Sequence, residues 1–243
     1  MLAPLLEGVD RLVLAGDIWQ QRKMGEGVQK ALRMLTELTT MIEARGIALD
    51  LLRGNHDPTG GAGVCWLANR QVLVTHGDAV YDDATPWSRE IGNYRREVDA
   101  IVEKYRPVSH LAEACADRAR EIAMTIRVVP LPRLPPPLNF FATAFWPPSR
   151  PLEMVRVWRG MGNQGISFLK HSGEGARVLI CGHFHRAGIW EKEGYLMVNT
   201  GAFMKGSQPW MVDLEDGAMI ASGVRLKDGT FVPGEVKGRW LLR

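Results

Sequence analysis

Short apolar runs alternate along this chain with longer stretches in which apolar residues recur every three to four positions. Runs at 11–15, 47–52, 71–75, 177–181, 195–198, 210–214 and 219–224 are rich in Val, Ile and Leu and predict buried strands. Between the first two, Val28, Ala31, Leu32, Leu35, Leu38 and Ile42 form a 3.6-residue stripe, with Gly46 placed as a C-terminal cap. That stripe predicts an amphipathic helix covering one face of a sheet. Two further helices are predicted at 88–105 and 109–127, the second stopped by Val128-Val129-Pro130. Their charges alternate in sign (Arg95, Arg96, Glu97, Asp99, then Glu113, Asp117, Arg118, Arg120), which reads as solvated faces rather than a nucleic-acid stripe. The proline-rich stretch 130–148, with Phe140, Phe141, Phe145 and Trp146, can be neither regular helix nor central strand. A buried wrap and a substrate-facing lid are both open readings of it.

Composition adds boundaries. The chain has 243 residues, 46% hydrophobic and 23% charged, which excludes a disordered or collagen-like chain. A net charge of +3 is too small to imply a polyanionic partner. Cys65, Cys115 and Cys181 have neither zinc-knuckle spacing nor an even disulfide framework. With no basic, apolar leader at the N-terminus and no apolar run of membrane-spanning length, the expected location is cytoplasmic, with peripheral membrane contact through the 82–172 region as an option.

The informative residues stand at the strand ends. The first run ends in Gly16-Asp17, the second in Gly54-Asn55-His56-Asp57, the third in His76-Gly77-Asp78 and the fourth in Gly182-His183-Phe184-His185. In an α/β sheet such ends converge on the crevice where ligands bind. Glycine beside each allows positive φ and close backbone approach. Carboxylate, carboxamide and imidazole together suit a divalent ion of intermediate hardness: Mn²⁺, Fe²⁺, Zn²⁺ or Co²⁺.

In this order and context, the four motifs resemble the calcineurin-like metallophosphoesterase superfamily. The insertion between the third and fourth further resembles the UDP-2,3-diacylglucosamine pyrophosphatase branch. The resemblance implies an α/β fold, a β-sandwich flanked by helices, forming one domain over 1–243 with a helical, Pro-rich cap inserted at 82–172. It implies that Asp17 bridges two metal ions, that Asn55, His76 and His183 complete one shell, and that His185 binds the other ion. His56 would face the phosphate as a catalytic group, with Asp57 orienting its ring. Two cations about 3.5–4 Å apart activate a bridging water and clamp phosphoryl oxygens, so the implied activity is phosphoester or pyrophosphate hydrolysis, with Mn²⁺ the expected metal. Asp78 and Arg186 are candidates for supporting and substrate contacts. The implied substrate is a phosphorylated small molecule or lipid-linked nucleotide, with Arg150, Arg156 and Arg159 available to a diphosphate.

The chain departs from the superfamily pattern in two places. No Asp-x-His motif exists, and the residues before Asp17 hold one strand; Gln20 stands where a second Asp is usual. Three explanations are open: a reading frame that begins upstream of Met1, a one-metal variant, or a non-catalytic scaffold or binding protein of the same fold. The first is preferred, because omitting a strand would expose the edge of its neighbour. It predicts about one bound ion for these 243 residues and two for an extended chain.

Overall fold

The strand Val72–Thr75 is buried along its whole length, and its pleat sends Val72 and Val74 to one side and Leu73 to the other. Each side meets a different layer, and those two contacts organise the fold. The structure is a computed structural model describing residues 2–21, 26–88, 90–127, 135, 150–204 and 206–242. In chain order the regular elements are β1 (Arg11–Ala15), α1 (Glu26–Glu43), β2 (Ala48–Leu52), β3 (Val64–Leu67), β4 (Val72–Thr75), α2 (Arg95–Tyr105), α3 (Ala112–Thr125), α4 (Arg150–Ser172), β5 (Val178–Cys181), β6 (Gly188–Lys192), β7 (Tyr195–Asn199), β8 (Trp210–Glu215), β9 (Ala218–Lys227) and β10 (Thr230–Leu241). The chain is a mixed α/β protein.

The five-stranded sheet runs β3-β4-β5-β7-β6, with β4, β5 and β7 parallel and the two edges antiparallel. On one face Val72, Val74, Val178, Ile180, Leu196 and Val198 pack against Met219 and Ala221 of the β10-β9-β8 sheet, giving a β-sandwich. On the other, Leu73, Leu179 and Met197 meet Cys115 and Ala116 of α3 and Met161, Ile166 and Leu169 of α4. Each fully buried Leu, Val or Ile contributes about 1.5–3 kcal/mol by leaving water, so the alternation of these strands fixes both interfaces at once. A smaller cluster joins α2 to α3 through Val98, Ile101, Ala119 and Ile122. Thus α3 and α4, both within 82–172, form the layer over the outer sheet face. Strands β1 and β2 pair in parallel, reach the β3 side through a Leu52–Ala62 bridge, and carry α1 on Ile42, Ile47 and Leu6.

The sequence pattern and the structure differ in places. The helix expected at 88–105 is a 3-10 turn at Ile91–Tyr94 followed by α2, and the one at 109–127 narrows to α3. The stripe of α1 is shallower than a core stripe, for Ile42 is fully buried while Leu32 is 37% exposed. Strands β3, β6 and β10 are additions to the expected set. Within 130–148 only Pro135 is described, so Phe140, Phe141, Phe145 and Trp146 lie outside the described residues. Arg156 and Arg159 are exposed on α4. Among the described residues no helix is long and apolar enough to cross a membrane.

Candidate metal centre

Strands β1, β4 and β5 and the loop after β2 deliver their polar residues to one place. Asp17 leaves β1 with φ 55° after Gly16 at φ 80°. A Cβ on Gly16 would stand 2.7 Å from the His76 ring and 2.8 Å from the Arg53 carbonyl, so glycine is needed there for both reasons. Gly54 lacks the positive φ but lies against the Asp17 carboxylate, leaving no room for a side chain. His183 and His185 also adopt positive φ, 68° and 55°. Three left-handed non-glycine residues in one small region is the backbone strain that functional sites concentrate.

The buried His76 ring anchors the group. Its Nδ1–H donates to the Ala15 carbonyl at 2.8 Å, which directs Nε2 inward. Around Nε2 stand Asp17 Oδ2 at 3.3 Å, Asn55 Oδ1 at 3.2 Å and His183 Nδ1 at 3.1 Å. The His183 Nε2–H donates to the Ala84 carbonyl at 3.0 Å, so its Nδ1 presents a lone pair. All three neighbours of Nε2 are therefore acceptors. Burial lowers the basicity of His76, but the charge of Asp17 and the hydrogen bond with it, aided by Asp78, raise its pKa to about 9. Asp17 is pushed up by burial and more strongly down by His76 and His56, ending below the usual carboxylate range. His183 goes the other way, well below its ordinary value, through burial and the adjacent charge of His76. Asp78, buried beneath, rises to about 6 because burial outweighs the attraction of His76.

A proton on Nε2 thus occupies a place surrounded by a carboxylate, a carboxamide oxygen and an imidazole nitrogen. Without it, four electron-pair donors face one another, which is the donor set of a metal ion. Ligands about 2.1 Å from an ion on adjacent octahedral vertices lie about 3 Å apart, close to the three separations around Nε2. Donor atoms of Asp17, His76 and His183 all lie within 4.8 Å of one another. The residues fit a divalent ion.

The other expected residues divide. His56 stands at the open side, its side chain 43% exposed and Nε2 3.9 Å from Asp17 Oδ2. Asp57 does not orient that ring. Its Oδ1 accepts the backbone N–H of Asp17 at 2.9 Å and of Gly54 at 2.7 Å, and its Oδ2 accepts that of Ile18 at 2.8 Å. Three of the carboxylate's roughly four acceptor directions are thus spent on backbone amides, and among the described residues no hydrogen bond joins it to the adjacent imidazole. The partner of the His56 ring is Gln20, whose amide reaches Nδ1 at 2.8 Å through nitrogen and 3.1 Å through oxygen. His185 is exposed beside the group rather than within it; partial burial lowers its pKa, opposed by Asp17. Arg186 is exposed, its guanidinium 5.9 Å from the Trp158 ring.

Two supports escape a reading of the sequence. Gln20 sits 36 residues from His56, and no local signal links them. Asn199, fully buried at the end of β7, donates to the Gly182 carbonyl and accepts the Gly201 N–H at 3.0 Å, bracing the turn that carries His183. The loop after β2 has its own brace in α3: Arg53 pairs with Asp117 at 2.6 Å, and the Arg120 Nε–H donates to the Pro58 carbonyl at 3.1 Å.

No protein-family model and no curated protein matches this chain. Among solved structures it is similar to a single mutant of Vps29 from Entamoeba histolytica, with 14% identity and a TM-score of 0.39 over 98% of this chain and 86% of that one. It is also similar to vacuolar protein sorting 29 from Cryptosporidium parvum (12% identity, TM-score 0.40, 95% and 97% covered). A third is a conserved uncharacterized protein from Streptococcus pneumoniae TIGR4, described as a predicted phosphoesterase (11% identity, TM-score 0.34, 96% and 84% covered).

Proposed function

We propose that this chain is a metal-dependent phosphoester hydrolase of the metallophosphoesterase type. The observation that carries the reading is the convergence of Asp17, Asn55, His76 and His183 on one point, with main-chain carbonyls turning both imidazoles so that their free nitrogens face it. Those four residues would hold a divalent ion, Mn²⁺ being the metal proposed here, with Fe²⁺, Zn²⁺ and Co²⁺ equally compatible with mixed oxygen and nitrogen donors. When bound, the ion supplies an activated water and charge to neutralise phosphoryl oxygens. His185 and Asp17 are the residues available toward a second ion, which would make the centre dinuclear.

The chain's own groups complete the chemistry. His56, at the open side and not spent on a metal, donates a proton or hydrogen bond to a phosphate oxygen as charge grows there. Gln20 sets its ring without adding a charge: when the amide oxygen accepts from Nδ1–H, Nε2 is a base, and when the amide nitrogen donates to Nδ1, Nε2–H is a donor. Asp57 holds the Asp17 and Gly54 turns in register and touches no substrate. The wider substrate range suggested by the sequence, a nucleotide-linked lipid met by the 82–172 region as a cap, remains part of this proposal, as does a cytoplasmic setting.

The test is hydrolysis of bis-p-nitrophenyl phosphate with added Mn²⁺. Turnover that requires the metal and drops about 10²–10⁴-fold in His56→Ala, with metal content retained, supports a hydrolase. Metal binding with equal, background rates in both proteins points instead to a binding or scaffold role.

A further inference from the structure

The carbonyl that orients His183 belongs to a residue with an unfavourable backbone. Ala84, 1% exposed, stands at φ 57°, a conformation that a non-glycine residue keeps only where its surroundings impose it. Its N–H donates to the Tyr81 carbonyl at 3.0 Å, closing a turn that presents the Ala84 carbonyl to His183 Nε2–H. Three residues on, the Trp87 ring lies 4.8 Å from the same imidazole. The carbonyls leading into this turn are held by side chains of the helical layer. Arg118 Nη2, on α3, donates to Ala79 at 3.1 Å and to Tyr81 at 3.3 Å, and Arg118 Nη1 pairs with Asp82 at 2.9 Å. Gln164 Nε2, on α4, donates to the Val80 carbonyl between them at 3.2 Å.

A guanidinium in this place is a poor source of stability. The Arg118 side chain is 5% exposed and its partner Asp82 is 72% exposed, so the cation has left water for a carboxylate that has not. Its Nε–H is buried without an acceptor among the described residues. What the side chain gains is geometric: its planar fork is fixed on the Tyr81 carbonyl, the same oxygen that accepts the Ala84 N–H. We propose that Arg118 is a positioning residue of the metal centre. From α3 it holds the 79–84 turn so that the Ala84 carbonyl keeps His183 Nδ1 aimed at the point where the ligands converge. The inference rests on the metal-centre reading above and adds that the 82–172 region supplies part of the rigidity of that centre, independently of any contact with substrate.

The experiment follows two ring N–H protons by NMR in the metal-free full chain carrying isotope-labelled histidine. One is His183 Nε2–H on the Ala84 carbonyl; the other, His76 Nδ1–H on the Ala15 carbonyl, is the control because Ala15 belongs to β1. Arg118→Met keeps an apolar stem and loses the donors. In it the His183 resonance is expected to vanish into exchange with water while that of His76 stays, and calorimetric titration is expected to show Mn²⁺ bound about tenfold more weakly. Arg118→Lys keeps a charge beside Asp82 without the planar fork, so both readouts are expected to move in the same direction by less, and this variant decides if Arg118→Met does not fold. An unchanged His183 resonance with unchanged Mn²⁺ affinity overturns the proposal. Loss of both ring resonances together also overturns it, since that marks a general loosening of the fold. A parent chain that shows both resonances and takes up no Mn²⁺ overturns the metal-centre reading and this proposal with it; the two failures are told apart because the parent, not the variant, is then the protein that fails to bind.

Discussion

Replacing Asp57 by Ala separates two roles that a carboxylate beside His56 could play. If it orients the imidazole, its loss changes the pH dependence of turnover and leaves the fold intact. The geometry says otherwise. The side chain is 1% exposed, and its two oxygens accept three backbone amides from turns 3, 39 and 40 residues away. Each hydrogen bond to a charged acceptor contributes about 1.5–3 kcal/mol, and each amide left unpaired in the interior costs a comparable amount. The three bonds share one carboxylate and the turns relax together, so the expected loss for Asp57→Ala is about 3–5 kcal/mol rather than the simple sum. For a domain of this size about 2–4 °C of Tm accompanies each kcal/mol, giving a fall of about 6–20 °C. Asp57→Asn keeps one oxygen for Asp17 and Gly54 and sets its NH₂ against the Ile18 N–H, so about 1–3 kcal/mol is expected there. Urea unfolding of the metal-free protein measures both. Stabilities within about 0.5 kcal/mol of the parent, together with a shifted pH–rate profile, would refute this account.

Other expectations rest on the same geometry. Gly16→Ala places a side chain at positive φ and against His76, so a loss of about 2–4 kcal/mol and weakened Mn²⁺ binding are expected from urea titration and metal analysis. His76 carries a proton up to about pH 9 in the metal-free fold but only to about 6.5 as an isolated side chain. Its contribution to metal-free stability is therefore whole below pH 6.5 and fades as pH rises toward 9, which chemical unfolding across that range reads directly. Metal must displace the same proton, so Mn²⁺ affinity should climb about tenfold per pH unit from about 7 to 9, with about one proton released per ion in paired-buffer calorimetry. No release at about pH 7.5 would contradict the placement of that proton. Arg53→Ala unfastens the loop after β2 from α3; its partner Asp117 is 42% exposed, so the stability cost should stay near about 1 kcal/mol while turnover falls more than binding of the metal does.

The strands that carry the centre were legible because their apolar runs are short, unbroken and end in Gly beside Asp, Asn or His. Strands β1, β4 and β5 lie where that pattern puts them. Strand β10 was hidden because it contains Pro233, Gly234 and Gly238, and its pairing with β9 shifts register between Pro233 and Val236 and again before Gly238. Proline is tolerated there because β10 has a single partner strand among the described residues. Strand β3 was hidden because its turn into β4 uses Ala68, Asn69 and Arg70 at positive φ, without a glycine to mark it. Within the centre, residue type and strand-end position were enough to gather Asp17, Asn55, His76 and His183. They could not say which neighbour takes the Asp57 carboxylate or the His56 ring, since those partners depend on loop conformations set by contacts distant in sequence. The exposed position of His185 beside the group depends on the left-handed turn through 183–185, which spacing alone does not encode.

The carbonyls of Ala15 and Ala84 fix both tautomers of the centre, and each belongs to the main chain. No side-chain replacement at positions 15 or 84 can delete such an acceptor. Mutational drift can swap a ligand, but it reaches the proton map of His76 and His183 only by moving backbone. The electronic setting of this centre is thereby inherited with the fold rather than with any one ligand.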